Sequence, residues 1–339
     1  MNQHTSSGGT VTGRFAPSPT GLMHLGNAWS FFLAWLGARA SGGRVILRHE
    51  DIDPDRSRTE WMDAMERDLS WLGLDWDEGS SHGLHAPYHQ SMCGPLYERA
   101  LDALKAKGLV YPCYCTRKEL RMLAGAPHGA SDGLGDAGAA YPGTCRHLTP
   151  EQRAQKEAEG RHPALRLLCP DDDVESFNDL VLGPQNIPLK DCGGDFALRR
   201  SDGVWAYQLA VVVDDVRMGV TQVVRGEDIL LSTPRQLLLY RLLDAPPPSY
   251  AHVPLLCDEN GERLAKRHHS LSIAALREKG CSPTSIIGFF AKVAGLQPDP
   301  SPVSPSRLAD NIMREGPFPW HALPKGSLII PHNAPEAWL

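Results

Sequence analysis

Two separated stretches of the chain carry the residue types that bind and polarise phosphate. The first runs Arg14-Phe15-Ala16-Pro17-Ser18-Pro19-Thr20-Gly21-Leu22-Met23-His24-Leu25-Gly26-Asn27, a Pro-rich turn and a glycine leading into His24-Leu25-Gly26. An apolar run from Ala28 to Ala40 follows and predicts a helix, so His24 and the Gly26 backbone fall at a helix start. Free N–H groups and the helix dipole favour an anion there. Taken alone, the segment is equally well an ordinary loop entering a helix. The second stretch is Arg263-Leu264-Ala265-Lys266-Arg267, which reads either as a mobile phosphate-binding loop or as a solvated basic loop.

Other clusters carry weaker signals. Asp51, Asp53 and Asp55, with Asp75, Asp77 and Glu78, lack the central glycine and terminal Glu of a calcium loop, and nothing sets two of them across a sugar. They read as caps, surface charge or partners of nearby arginines. Of eight cysteines, Cys113 and Cys115 are spaced Cys-x-Cys with Cys145 thirty residues further on. That spacing is open to a metal site or to plain buried thiols. Cys93, Cys169, Cys192, Cys257 and Cys281 show no pairing logic.

The two phosphate-type stretches resemble the paired signatures of the class I aminoacyl-tRNA synthetases of the glutamyl/glutaminyl group. His24-Leu25-Gly26-Asn27 is similar to the His-Ile-Gly-His element. Arg263 to Arg267 is similar to Lys-Met-Ser-Lys-Ser, with Arg263 in place of the first Lys, Ala265 in place of Ser, and Lys266 retained. Arg48-His49-Glu50-Asp51-Ile52-Asp53, Gly73-Leu74-Asp75-Trp76-Asp77 and Val224-Arg225-Gly226-Glu227-Asp228 extend the resemblance, in order, from about Gly13 to about Leu296. Cys113-Tyr114-Cys115-Thr116, Tyr141-Pro142-Gly143-Thr144-Cys145-Arg146, Asp195 to Arg200 and Trp205 to Asp215 point to the shortened branch of the group that glutamylates queuosine in tRNA(Asp). Only 72 residues follow Arg267, so no anticodon-binding domain is expected.

The resemblance implies an enzyme of the ligase type that makes glutamyl-adenylate and passes glutamate to queuosine of tRNA(Asp), with L-glutamate, Mg-ATP and that tRNA as its partners. A truncated enzyme charging a tRNA 3′ end and a non-catalytic RNA-binding paralogue are the alternatives. In-line attack on an α-phosphate demands positioned cations and N–H donors more than a general base. His24 and Lys266 are therefore the catalytic candidates, with Gly26 and Asn27 completing the ATP contacts. For glutamate the resemblance implies Arg14, Phe15, Ala16, Pro17, Ser18, Glu50, Tyr207 and Arg225, with Glu50 on the ammonium. On residue type alone Tyr207 reads as core, and Arg14 and Arg225 as surface ion pairs. Tyr141 joins Cys113, Cys115 and Cys145 as the implied fourth ligand of one structural zinc ion.

A chain of 339 residues with 42% hydrophobic content can bury a sizeable core. Its formal charge of −6 disfavours a broad nucleic-acid surface, so RNA must meet local strips such as Arg199-Arg200 or Lys266-Arg267-His268-His269. No secretory pattern opens the sequence, and Ala28 to Ala40 is too short to span a bilayer. A soluble, cytoplasmic monomer with reduced thiols is the expectation.

Strand, turn, helix and strand alternate at the start: Ala28–Ala40 is followed by a strand over Val45–Arg48, and Thr59–Leu72 carries a helical apolar stripe. This predicts an α/β fold, a Rossmann-type parallel-sheet catalytic domain with an inserted, zinc-bearing subdomain and a short helical C-terminal module. The expected boundaries are a flexible start over 1–12, the first half of the catalytic domain over 13–110, the insertion over 111–195 and the second half over 196–258. The ATP loop and a helical module take 259–296, and a Pro-rich linker and tail take 297–339. Within these, Trp205–Val213 and Gln222–Arg225 read as strands, Thr233–Leu243 as a helix opening with Pro234, and Ala274–Glu278 and Ser285–Ala294 as short helices.

Overall fold

The computed structural model describes residues 10–116, 118–120, 141–264 and 271–330. Strands Thr12–Phe15 (β1) and Arg44–Leu47 (β2) pair in parallel, Thr12 opposite Arg44 and Phe15 opposite Leu47. Their crossover is helix Leu25–Arg39 (α1), which is apolar almost all round because both faces are covered: Leu25, Ala28, Trp29, Phe32, Leu33 and Leu36 are buried. Helices Thr59–Trp71 (α2) and Gly94–Ala106 (α3) follow. The second half contributes Gln222–Gly226 (β8) and Ser249–Val253 (β9), parallel and joined by a helix over Thr233–Leu242. The halves meet where the Thr221 N–H donates to the Thr12 carbonyl at 2.9 Å.

Between the halves lies the insertion. Val110–Cys113 (β3), Ala164–Leu167 (β4) and Ala197–Arg199 (β7) form an antiparallel sheet, with a helix over Pro150–Ala158 capped by a reciprocal Thr149–Gln152 box. The insertion is not wholly separate from the catalytic sheet. Its hairpin, Val174–Asp179 (β5) and Gly183–Pro188 (β6), reaches β9, with Asp179 opposite Tyr250.

One expected strand is a helix. Trp205 makes only an isolated bridge to Arg199, and Tyr207–Arg217 is helical. Nearly every residue from Gln208 to Asp215 is buried, so no alternation reveals the period, and packing overrides the β-preference of Val211-Val212-Val213. The change matters for chemistry, because a helix sets Tyr207, Asp214 and Asp215 on one face where a strand would send the two acids to opposite faces.

The stretch after 297 is more than a linker and tail. Pro305–Glu315 is a helix, Leu328–Ile329 pairs in parallel with Leu256–Cys257, and Phe318, Trp320, Leu323 and Ile330 join the core built by α1 and by the helices Ile273–Glu278 and Pro283–Val293. Trp320 is buried against Gly37, where a β-carbon would overlap its ring. Trp320→Ala should therefore lower the stability of the whole catalytic unit by about 3–5 kcal/mol, read as an earlier urea midpoint. Gly37→Ala should also destabilise, by displacing the ring.

Candidate active site

A cleft of about 390 Å³ opens where the chain leaves β1 and β8, beside the start of α1. This is the place in a parallel sheet where neighbouring crossovers part and leave a crevice. Its floor brings together residues more than two hundred positions apart.

One end of the cleft carries charge of both signs. Arg225, near the end of β8, is 5% exposed, and among the described residues its guanidinium is held only by neutral acceptors. Nε donates to His252 Nε2 at 3.1 Å, Nη1 to Gln236 Oε1 at 2.9 Å, and Nη2 to Thr233 Oγ1 at 2.7 Å. Three of the five N–H donors of an arginine are thus used, and the remainder are available to an anion. His252 is locked in turn by Asp179, whose Oδ2 lies 2.6 Å from Nδ1. Burial pushes the His252 pKa down to about 4. The ring is therefore neutral at physiological pH, donates from Nδ1 to Asp179, and presents Nε2 as the acceptor that Arg225 needs.

Glu50 lies opposite in charge. Its N–H donates to the Pro17 carbonyl at 2.9 Å, as the Arg48 N–H does to Phe15, so the segment after β2 runs alongside Ala16-Pro17-Ser18. Burial raises the Glu50 pKa, and Arg48, whose Nη2 donates to Oε1 at 3.1 Å, works against that rise. Arg14, 5% exposed, donates from Nη1 to the Val224 carbonyl at 3.4 Å. Both Arg14 and Arg225 are buried cations and not surface ion pairs. Tyr207, the first residue of its helix, is half-buried in the cleft wall, and burial raises its pKa. Ala16, Pro17 and Ser18 also line the cleft, with Ser18 exposed, whereas Phe15 is fully buried in the core and acts through its backbone.

The other end is formed by the start of α1. His24 is the residue before α1, 7% exposed, and its carbonyl accepts from the N–H groups of Asn27 and Ala28 at 2.9 and 3.1 Å. The first turn carries no acid, so its positive end is uncompensated within the helix. Gly26 is needed for close approach: a β-carbon would lie 3.2 Å from the His24 ring and 3.5 Å from the Leu264 carbonyl. Asn27 lines the same wall. Lys266, with Ala265, Arg267, His268 and His269, lies outside the described residues, but the described residues on both sides of that segment are fixed here. Leu264 bonds Leu256 at 2.9 Å, Ile273 bonds the Met23 carbonyl at 2.9 Å, and Arg263 pairs with Asp228.

Cys113, Cys115 and Cys145 converge with their sulfurs within 4.8 Å of one another. Cys115 Sγ is 3.6 Å from Cys145 Sγ, and Tyr141 Oη is 3.3 Å from Cys113 Sγ and 3.8 Å from Cys115 Sγ. Tetrahedral zinc with ordinary Zn–S bonds places sulfurs ~3.8 Å apart, so the donor set fits a closed metal site. The remaining cysteines are free thiols. The Arg199-Arg200 strip is neutralised by Glu98, Asp53 and Asp202. Most of the acids read as surface charge do pair with arginines, Asp75 and Asp77 with Arg39 and Glu78 with Arg44.

Residues 10–300 match the family described as tRNA synthetases class I (E and Q), catalytic domain. The chain belongs to this family. Among relatives of this synthetase family, the Glutamyl-Q tRNA(Asp) synthetase of Nitratidesulfovibrio vulgaris strain Hildenborough is 62% identical over 296 residues, 87% of this chain and 90% of that one. The Glutamyl-Q tRNA(Asp) synthetase of Symbiobacterium thermophilum is 54% identical, covering 88% and 91%. The crystal structure of a glutamate tRNA ligase from Elizabethkingia meningosepticum, in complex with its amino acid, superposes with a TM-score of 0.79 at 25% identity over 97% of this chain and 69% of that one. No helix among the described residues is long and apolar enough to cross a membrane.

Reading from residue types missed the supporting set of the synthetase cleft: Thr233, Gln236, His252 and Asp179 around Arg225, Asp215 against Arg14 and Arg48, and Asp214 beside Arg48. Two adjacent acids ending an apolar run were the only signal. The His252–Asp179 pair has a measurable consequence. Its neutral ring refuses a proton that the unfolded chain accepts between pH about 6.5 and about 4, so stability is complete above that window and is lost as pH falls through it. The loss should approach about 3 kcal/mol. His252→Asn should remove that part of the acid sensitivity in urea midpoints, and an unchanged pH slope would assign it to other groups.

Proposed function

We propose that this chain activates L-glutamate with Mg-ATP and transfers the glutamyl group to queuosine in the anticodon of tRNA(Asp). The carrying observation is Arg225, a buried cation whose partners among the described residues are all neutral, facing a cleft that also holds Glu50 and an acid-free helix start. A dicarboxylate with one ammonium complements that arrangement. The side-chain carboxylate takes the spare donors of Arg225, the ammonium lies against Glu50, and Arg14 and Tyr207 border the α-carboxylate. The relatives named as glutamyl-Q tRNA(Asp) synthetases support the choice of acceptor.

In the first step an oxygen of the α-carboxylate attacks the α-phosphorus and pyrophosphate leaves. Negative charge grows on the phosphoryl oxygens, where the His24 imidazole, the α1 backbone N–H groups and the Lys266 ammonium supply donors. Magnesium accompanies ATP as its counterion. In the second step a cyclopentenediol hydroxyl attacks the glutamyl carbonyl carbon, loses its proton, and AMP leaves with the bonding pair. Zinc held by Cys113, Cys115, Tyr141 and Cys145 would fix the base of the insertion and leave no open position for chemistry. Eight thiols without a disulfide among the described residues suit a cytoplasmic location.

Three results test the reading. His24→Ala and Lys266→Ala should each slow glutamate-dependent pyrophosphate exchange ~10²–10³-fold, and near-normal exchange in either would remove that residue from the mechanism. Labelled glutamate should transfer to queuosine-containing tRNA(Asp) and not to the same tRNA lacking that base. A product lost when the 3′ terminus is oxidised would mean ordinary charging instead. Protein purified without added zinc should carry about one ion per chain, and Cys145→Ser should lose it.

A further inference from the structure

The two glutamate-binding groups of opposite sign are wired together beneath the cleft. Arg48 is fully buried; its Nη2 donates to Glu50 at 3.1 Å and its Nη1 to Asp215 Oδ1 at 2.6 Å. The same Asp215 oxygen lies 3.6 Å from Arg14 Nε. The order Glu50, Arg48, Asp215, Arg14 alternates in charge and has both ends in the cleft wall. We propose that Arg48 and Asp215 are positioning residues that set the charge state of Glu50 and the aim of Arg14, and so tune the site for a zwitterion. This rests on the glutamate-activating reading above.

The surroundings leave these two residues in control. Glu50 faces Arg48, Arg14, Asp215 and the Tyr207 phenol. Asp214, on the far side of Arg48 at 4.0 Å, is already engaged by Tyr97 at 2.7 Å, Gln90 at 3.0 Å and Arg217 at 3.3 Å, with Cys93 nearby. Tyr240 and Tyr250 near Asp215 are phenols held neutral by burial. Asp214 and Asp215 with Glu50 thus balance Arg14, Arg48 and Arg217, while the Asp179 carboxylate reaches Arg225 only through the neutral His252 ring. Burial favours the protonated form of Glu50; Arg48 and then Arg14 oppose it, and Asp215 adds to it.

The two links fail differently, which makes the role testable by glutamate-dependent pyrophosphate exchange across pH, with tRNA(Asp) present and absent. Arg48→Met should leave Glu50 partly protonated, so the KM for glutamate at pH about 7 rises ~10-fold and falls again as pH approaches about 8.5. Asp215→Asn should raise the KM for glutamate with no such pH dependence, because Arg48 still holds Glu50 ionised while Arg14 loses its anchor. The KM for ATP should move less than about twofold in both. Where Arg48→Met is not recovered folded, Arg48→Lys is read in its place: it keeps the cation without the two-armed fork, and should give a raised, pH-flat KM for glutamate. A pH-flat Arg48→Met, or parallel rises in the KM for glutamate and ATP, would reduce the pair to scaffolding and overturn the proposal. Absence of glutamate-dependent exchange in the unmodified protein would overturn the functional reading itself, before any variant is compared.

Discussion

The burial of three arginines at the junction of two half-sheets is the constraint on which the rest depends. Arg14, Arg48 and Arg225 are each 5% exposed or less, and each would be costly if unpaired. Two of them are balanced by carboxylates on the helix Tyr207–Arg217, and the third, among the described residues, makes no direct pair with a carboxylate. Because a buried ion pair barely repays its desolvation, such an arrangement is a poor way to gain stability. It is a good way to hold charges still for a small charged substrate.

The rest of the architecture serves that junction. The parallel pairing of β1 with β2 and of β8 with β9 aims Arg14 and Arg225 at the same crevice, and the crossover helix α1 begins there with its positive end. The insertion contributes more than an appendage, since Asp179 at the end of its hairpin fixes His252 and thereby Arg225. The C-terminal segment covers the far side of α1 through Trp320, so the helix that presents His24 is clamped from behind. Residues well outside the signatures therefore decide how rigid the signatures are.

Membership of the class I synthetase family accords with a helix start at one end of the cleft, and the dicarboxylate proposed above suits the charges at the opposite end. The cysteine cluster sits in its own small core with Tyr111 and Tyr114, away from the cleft. None of its residues lines the cleft, which supports the structural part proposed for it above.

Much of this was legible in the residues themselves. His24-Leu25-Gly26 before an apolar run placed a helix start, and Cys113, Cys115 and Cys145 were set apart by spacing. These are local signals, carried by a cap, a turn or a short repeat, and they survive without a fold. What the linear order concealed was anything created by contact over long range. Asp214 and Asp215 looked like the end of a strand, because a segment buried on every side shows no period; helical packing turned both toward Arg48. Whether Arg14 and Arg225 were surface ion pairs or buried cations, and whether the stretch after 297 was only a linker and tail, depended on which residues of other elements came to lie against them. Sequence alone determined the kinds of charge available, and tertiary structure decided which were withdrawn from water, and burial is what turns an ordinary arginine into a binding site.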